Sequence, residues 1–192
     1  MNKSLMLMFG TFSPIHEGHL KIAKELKEFY KQDHFRFIPY GNVPADGHKV
    51  KKLNFTDRAS ILKAALAREW QNELYYDPIL ENVGLSMYQT AKIFRGMGFD
   101  VSVVMGTDQF EKLEHWKDTE KLIEEFKMVV FGDNEEYDTK ENADYFRTQS
   151  LPISSEIARE LILSDKELLG VIPKDAIKKV KEMKVKFELI YK

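Results

Sequence analysis

The sequence predicts an α/β protein: a Rossmann-like, doubly wound parallel sheet of about five strands with a small C-terminal helical piece. Three observations predict it. Short apolar runs alternate with segments of helical period along most of the chain. The first run, Leu5-Met6-Leu7-Met8-Phe9, is apolar at every position, as a strand covered on both faces requires. A glycine-bearing loop then leads into the first helical segment, at the end of the sheet where such folds hold ligands.

The elements follow in order. Leu20, Ala23, Leu26 and Tyr30 recur every three to four residues, the stripe of an amphipathic helix. Phe35-Arg36-Phe37-Ile38-Pro39 reads as the second strand. Thr56 or Asp57 can cap a helix that buries Ile61, Leu62, Ala65 and Leu66. Leu74 to Tyr76 is the next predicted strand, and Ser86 to Gly96 a helix with Met87, Ala91 and Phe94 inward. Val101 to Met105 forms a strand ending at Gly106. Asp118 opens a helix through Leu122, Ile123 and Phe126, and Met128 to Phe131 is the fifth strand. From Gly132 to Gln149 the chain turns polar and acidic, which predicts a surface loop. Two helices close the sequence, Ser154 to Leu163 and Pro173 to Met183, with Pro173 suited to a first turn. The expected organisation is one domain over 1–192, with a core over 1–150 and a helical piece over 151–192.

Composition narrows the function. The chain of 192 residues is long enough for a sizeable core. Its 29 Lys and Arg against 31 Asp and Glu lack the positive excess of a broad nucleic-acid binder, although a local basic pocket fits. With no cysteine, disulfides, thiolate metal sites and a Cys nucleophile are excluded together. Leu5 to Phe9 is too short for a signal peptide, and nothing approaches a membrane span. These features predict a soluble cytoplasmic protein without nucleic-acid or membrane partners, and they are compatible with a homo-oligomer.

Two loop-to-helix entries carry the chemistry. In Gly10-Thr11-Phe12-Ser13-Pro14-Ile15-His16-Glu17-Gly18-His19, Gly10 allows close approach to the backbone, Pro14 stiffens the loop, and Gly18 permits tight packing at the helix start. Two histidines stand where backbone N–H groups and the helix dipole already favour an anion. The bland reading makes one of them a helix cap and the other a surface residue. The second entry is Ile153-Ser154-Ser155-Glu156-Ile157-Ala158-Arg159. A serine caps it, other N–H groups face outward, and Arg159 one turn in can grip phosphate through its fork. Alone, that is an ordinary capped helix with an exposed Arg.

Together, in this order, the two motifs resemble the signatures of the nucleotidylyltransferase superfamily, Gly-x-Phe-x-Pro-x-His-x-Gly-His and Ile-Ser-Ser-x-x-x-Arg. The intervening chain is most similar to bacterial nicotinate-nucleotide adenylyltransferases. Phe37-Ile38-Pro39 with Asn42, Pro44 and Lys49 resembles that family's second-strand loop, and Asp57-Arg58 its next helix. Met105-Gly106-Thr107-Asp108 followed by Trp116-Lys117-Asp118 resembles its fourth-strand segment. The match is loose over 66–100 and 132–150. Phe9 stands where the family usually has Gly, Ser13 where it has Asp, Leu85 where it has Pro, and Glu156 where a Thr touches phosphate.

The resemblance implies transfer of AMP from ATP to nicotinate mononucleotide, with Mg²⁺ arriving on ATP and no dedicated metal site on the protein. His16, His19 and Arg159 are then the catalytic residues. Gly10, Thr11, Phe12, Gly18, Lys49, Gly106, Asp108, Ser154 and Ser155 would bind ATP, and Ser86 and Trp116 the mononucleotide. Simpler alternatives make Asp108 a helix cap and Trp116 a packing residue. Three other functions stay open: another acceptor such as nicotinamide mononucleotide or phosphopantetheine, a nicotinamide-dependent oxidoreductase, and a non-catalytic nucleotide-binding module. The oxidoreductase requires a Gly-x-Gly-x-x-Gly loop, and Pro and His stand there instead.

Overall fold

β1 (Lys3–Gly10), β2 (His34–Pro39), β3 (Phe99–Gly106), β4 (Lys127–Gly132) and β5 (Ala143–Arg147) form one sheet, every neighbouring pair parallel. The strand order is β2-β1-β3-β4-β5, so the winding reverses between β1 and β3. The computed structural model describes residues 2–41, 52–67, 85–139, 142–149 and 153–192.

β1 explains why its sequence is apolar throughout. Met6 and Met8 face one core, whereas Leu5, Leu7 and Phe9 face the other. Helices cover both faces. On the first side lie α1 (Glu17–Phe29), α2 (Phe55–Ala65), α6 (Ser155–Leu163), α7 (Ile177–Glu182) and α8 (Lys184–Tyr191). On the second lie α3 (Met87–Gly96), the short α4 (Thr107–Phe110) and α5 (Thr119–Glu125). Leu7 is wholly buried, and burial of such a side chain contributes roughly 1.5–3 kcal/mol. The predicted inward residues Leu20, Ala23, Leu26, Ile61, Leu62, Met87, Ala91 and Phe94 are all buried.

Three expectations need correction. The stretch predicted as a surface loop contains β5, which pairs with β4 from Met128↔Ala143 to Gly132↔Arg147. As an edge strand it is only half-buried, with Tyr145 and Phe146 packing against opposite cores, so it carries no apolar run. The cap of α2 is Asn54, which accepts from Asp57 N at 2.8 Å, and not Thr56 or Asp57. Asp118 opens α5 as expected, at φ 61°, and its carboxylate accepts from Ser86 Oγ at 2.6 Å. Finally, the helix predicted over Pro173–Met183 is a 3₁₀ turn (Lys174–Ala176) and α7, and α8 continues the chain to Tyr191. Val185 and Leu189 are exposed on α8, which blurs the stripe that would have announced it. The predicted strand Leu74–Tyr76 lies outside the described residues, and β5 brings the sheet to five strands. Among the described residues no helix is long and apolar enough to cross a membrane.

Candidate active site

The C-terminal ends of β2, β1 and β3 lie side by side where the winding reverses. After Gly10 the chain reaches Phe12 at φ 46°, a left-handed conformation that a bulky residue adopts only when its surroundings hold it. They do so here. The Phe12 ring is buried edge-on to Phe37 (5.5 Å) and His19 (5.1 Å). It fills the space a Cβ on Gly10 would need, at 2.8 Å. A glycine at this position therefore serves the folding of the loop as much as any ligand.

His16 is the N-cap of α1, and its ring lies 3.7 Å from that of His19, tilted 38°. His19 reaches back one turn, so that its Nδ1 accepts from His16 N at 3.3 Å. A neutral His19 accepting at Nδ1 must carry its proton on Nε2, which makes that nitrogen a donor. Burial lowers the pKa of His16 to about 4. Burial, with the neighbouring His16 second, holds His19 well below the ordinary histidine value. At neutral pH both rings are uncharged. His16 Nδ1 is buried and, among the described residues, has no hydrogen-bond partner. Such an atom requires water or a ligand to satisfy it.

The second helix entrance closes on the first. Ser155 Oγ donates to Pro14 O at 3.0 Å, and Arg159 Nη1 donates to Ser13 O at 3.0 Å. A Cβ on Gly18 would lie 3.7 Å from Ile153 O and 3.0 Å from His16 Nδ1, so Gly18 is where the two entrances touch. Ser154 caps α6 by accepting from Ile157 N at 3.2 Å. The Ser155 proton is committed to Pro14 in this conformation, and Glu156 is exposed in the first turn.

A second wall rises from β2 and β3. Tyr40, just after β2, stacks with Phe9 at 6.2 Å and meets Trp116 edge-on at 5.6 Å. Trp116 is half-buried and follows a 3₁₀ turn (Leu113–His115) tied down by Thr119 Oγ1, which lies 2.6 Å from Leu113 O and 2.8 Å from Trp116 O. Ser86 caps α3, accepting from Gln89 N at 3.2 Å while donating to Asp118. Asp108 is exposed in the first turn of α4, whose N-cap is Gly106, and makes no side-chain cap. Its Oδ1 lies where a Cβ on Gly106 would sit, at 2.7 Å. Burial first, and the Asp108 charge second, push the Tyr40 hydroxyl well above its ordinary pKa.

Arg58 ties these pieces together. It is fully buried, and it donates through Nε to Leu53 O (2.9 Å), through Nη1 to Thr11 O (2.7 Å) and through Nη2 to Tyr40 O (2.6 Å). One guanidinium thus fixes the loop after β1, the end of β2 and the start of α2. Among the described residues no group of three His, Asp or Glu stands together as a metal cage.

The structure therefore brings His16, His19, Ser154, Ser155, Arg159, Gly10, Thr11, Phe12 and Gly18 to one place. Ser86 and Trp116 stand with Tyr40 and Asp118 on the second wall, beside Gly106 and Asp108. Lys49 lies outside the described residues. The motifs gave Arg58 no role, yet it shares the 58, 61, 62, 65 face of α2 with buried apolar residues. A charge inside an apolar stripe was the signal available.

The comparisons agree with this architecture. The cytidylyltransferase-like family model matches residues 7–161, which include both helix entrances. A probable nicotinate-nucleotide adenylyltransferase of Borrelia hermsii is 29% identical over 183 residues, 92% of this chain and 94% of that protein. Another, of Clostridium tetani, is 29% identical over 185 residues, 94% of this chain and 88% of the relative. Among solved structures, Plasmodium falciparum nicotinic acid mononucleotide adenylyltransferase complexed with NaAD superposes with a TM-score of 0.75. It does so at 14% identity, over 98% of this chain and 97% of that one. With the match spanning the sheet, the His16–His19 loop and the Arg159 helix, this chain belongs to the cytidylyltransferase-like family.

Proposed function

We propose that this chain is an adenylyltransferase that moves AMP from ATP to nicotinate mononucleotide, releasing pyrophosphate and forming deamido-NAD. The observation that carries the reading is the meeting of two helix entrances, far apart in sequence, through the Ser155–Pro14 and Arg159–Ser13 hydrogen bonds. Two N-termini with an Arg and two imidazoles between them suit a triphosphate. The curated relatives named above support the same activity.

In this reading a 5′-phosphate oxygen of the mononucleotide attacks the α-phosphorus of ATP in line. That oxygen is already ionised at neutral pH, so no general base is needed, and positioning with charge stabilisation supplies the acceleration. His19 donates from Nε2 to the α-phosphate as charge grows there. His16, whose Nδ1 lacks a partner among the described residues, holds the triphosphate. Arg159 and the Ser154/Ser155 end of α6 receive the departing pyrophosphate. Thr11, Gly10 and Phe12 shape the loop beneath the phosphates, Gly18 lets the two entrances close, and Lys49 adds a cation. Gly106 and Asp108 line the nucleotide on the β3 side. Trp116 stacks on the pyridine ring, with Ser86 ordering the segment through Asp118.

Mg²⁺ enters with ATP as part of the substrate, its ligands drawn from phosphate oxygens and water. Residues 1–150 supply the sheet and nucleotide loops, and 151–192 the phosphate-gripping helix, of one domain working in the cytoplasm. The test is pyrophosphate release from MgATP with a panel of acceptors. Nicotinate mononucleotide should give the highest kcat/KM. Preference for nicotinamide mononucleotide or phosphopantetheine would reassign the acceptor, and no release with any would leave a binding module.

A further inference from the structure

Tyr191, at the end of α8, touches both helix entrances at once. Its hydroxyl lies 2.7 Å from Ser13 Oγ, and its ring faces the Arg159 guanidinium, 4.8 Å from the centroid. Ser13 Oγ also accepts from Leu53 N at 3.3 Å, while the Ser13 carbonyl takes the Arg159 Nη1 proton. Tyr191, Ser13 and Arg159 therefore form a closed ring of contacts. α8 is held from below by the fully buried Phe187, stacked on Tyr191 at 6.0 Å. It is also held by Lys186, whose Nζ lies 2.6 Å from Asp57 Oδ1 on α2.

An Arg side chain has many rotamers, and a phosphate-binding fork is useful only if one of them is selected beforehand. An aromatic face and one backbone carbonyl, on opposite demands of direction, select it here. Ser13 matters to the same end. Its hydroxyl meets the Tyr191 phenol while its carbonyl accepts from Arg159 Nη1, so one residue joins the ring to the guanidinium. Tyr191 is only half-buried, whereas Phe187 carries the apolar seating of the helix.

We infer that Tyr191 is a positioning residue whose ring sets Arg159 to receive the pyrophosphate end of ATP. The inference rests on the phosphate reading of Arg159 given above. It makes α8 part of the nucleotide site through a residue that neither signature motif contains.

The test is a double-mutant cycle in the full chain, assayed with MgATP and nicotinate mononucleotide. Tyr191→Leu should lower kcat roughly tenfold, with the mononucleotide KM changed by less than about twofold. Tyr191→Phe keeps the ring over the guanidinium and should retain at least about a third of the turnover. In an Arg159→Ala background, Tyr191→Leu should add less than about a twofold loss, because the group it positions is gone. An equal loss in both backgrounds would mean Tyr191 acts through the fold, which overturns the inference. So would a Phe variant as poor as Leu, or an unchanged Tyr191→Leu beside a crippled Arg159→Ala. A harmless Arg159→Ala would remove the phosphate reading itself, and the inference with it.

Discussion

At the scale of single residues the candidate site sets two imidazoles, kept neutral by burial, together with one guanidinium. His19 bonded at Nδ1 presents a single tautomer, so deleting it removes a preorganised donor. His19→Ala should cut turnover by roughly 10²–10³, measured as initial rate of pyrophosphate release, in a chain that still unfolds cooperatively. Trp116→Ala should raise the KM for the mononucleotide and leave that for ATP within about twofold. Equal rises in both would argue that Trp116 only packs against Tyr40. The imidazoles also predict a pH dependence of stability. Burial lowers the pKa of His16 from 6.5 to about 4, so the folded state favours the neutral ring and the unfolded chain binds the proton first. Its contribution is complete above pH 6.5 and is lost as pH falls towards about 4. At about 1.4 kcal/mol per pH unit this amounts to about 3 kcal/mol. Urea titrations at pH 7 and pH 4 check it, and His16→Gln should reduce the difference by the His16 share, leaving that of His19.

At the scale of elements, each loop of the site is braced by a helix that packs elsewhere. Arg58 stands on α2 yet satisfies carbonyls of Thr11, Tyr40 and Leu53. Arg58→Met keeps much of the volume but leaves those buried acceptors without their donor, and should cost about 3 kcal/mol or more by denaturant unfolding. Arg58→Lys should recover little, since a point charge cannot span three directions. In β1, Gly10→Ala would drive a methyl to 2.8 Å from a Phe12 ring already boxed in by Phe37 and His19. Elements with a full apolar stripe were legible in the sequence: β1, α1, α2 and α3 stand where their periodicity put them. β5 was not, because an edge strand rests on backbone pairing with β4 and needs no apolar run. Nor was α8, whose exposed Val185 and Leu189 imitate a second buried face.

At the scale of the whole molecule, the sheet order β2-β1-β3-β4-β5 brings the glycine-ended β1 and β3 side by side and sends their following helices to opposite faces. α6 and α8 reach the loop after β1 through the Ser155–Pro14, Arg159–Ser13 and Tyr191–Ser13 contacts. The two helix-entrance motifs were readable from sequence because their chemistry is local: glycine, histidine and serine at helix starts. Their convergence was readable only as a consequence of the resemblance. The contacts that enforce it run between residues about 140 positions apart, such as Ser155 Oγ to Pro14 O, with |i−j| of 141. Tyr191 was silent for the same reason, and Arg58 showed only as a charge in an apolar stripe, its carbonyl partners being ones that only the fold brings near.

Amide hydrogen exchange with and without a saturating non-hydrolysable MgATP analogue tests the shared triphosphate site most directly. The account predicts new protection in two separate segments together, the start of α1 around Gly18–Leu20 and the start of α6 around Ser155–Ile157. Protection confined to one of them, with the other exchanging as in the free protein, would contradict it.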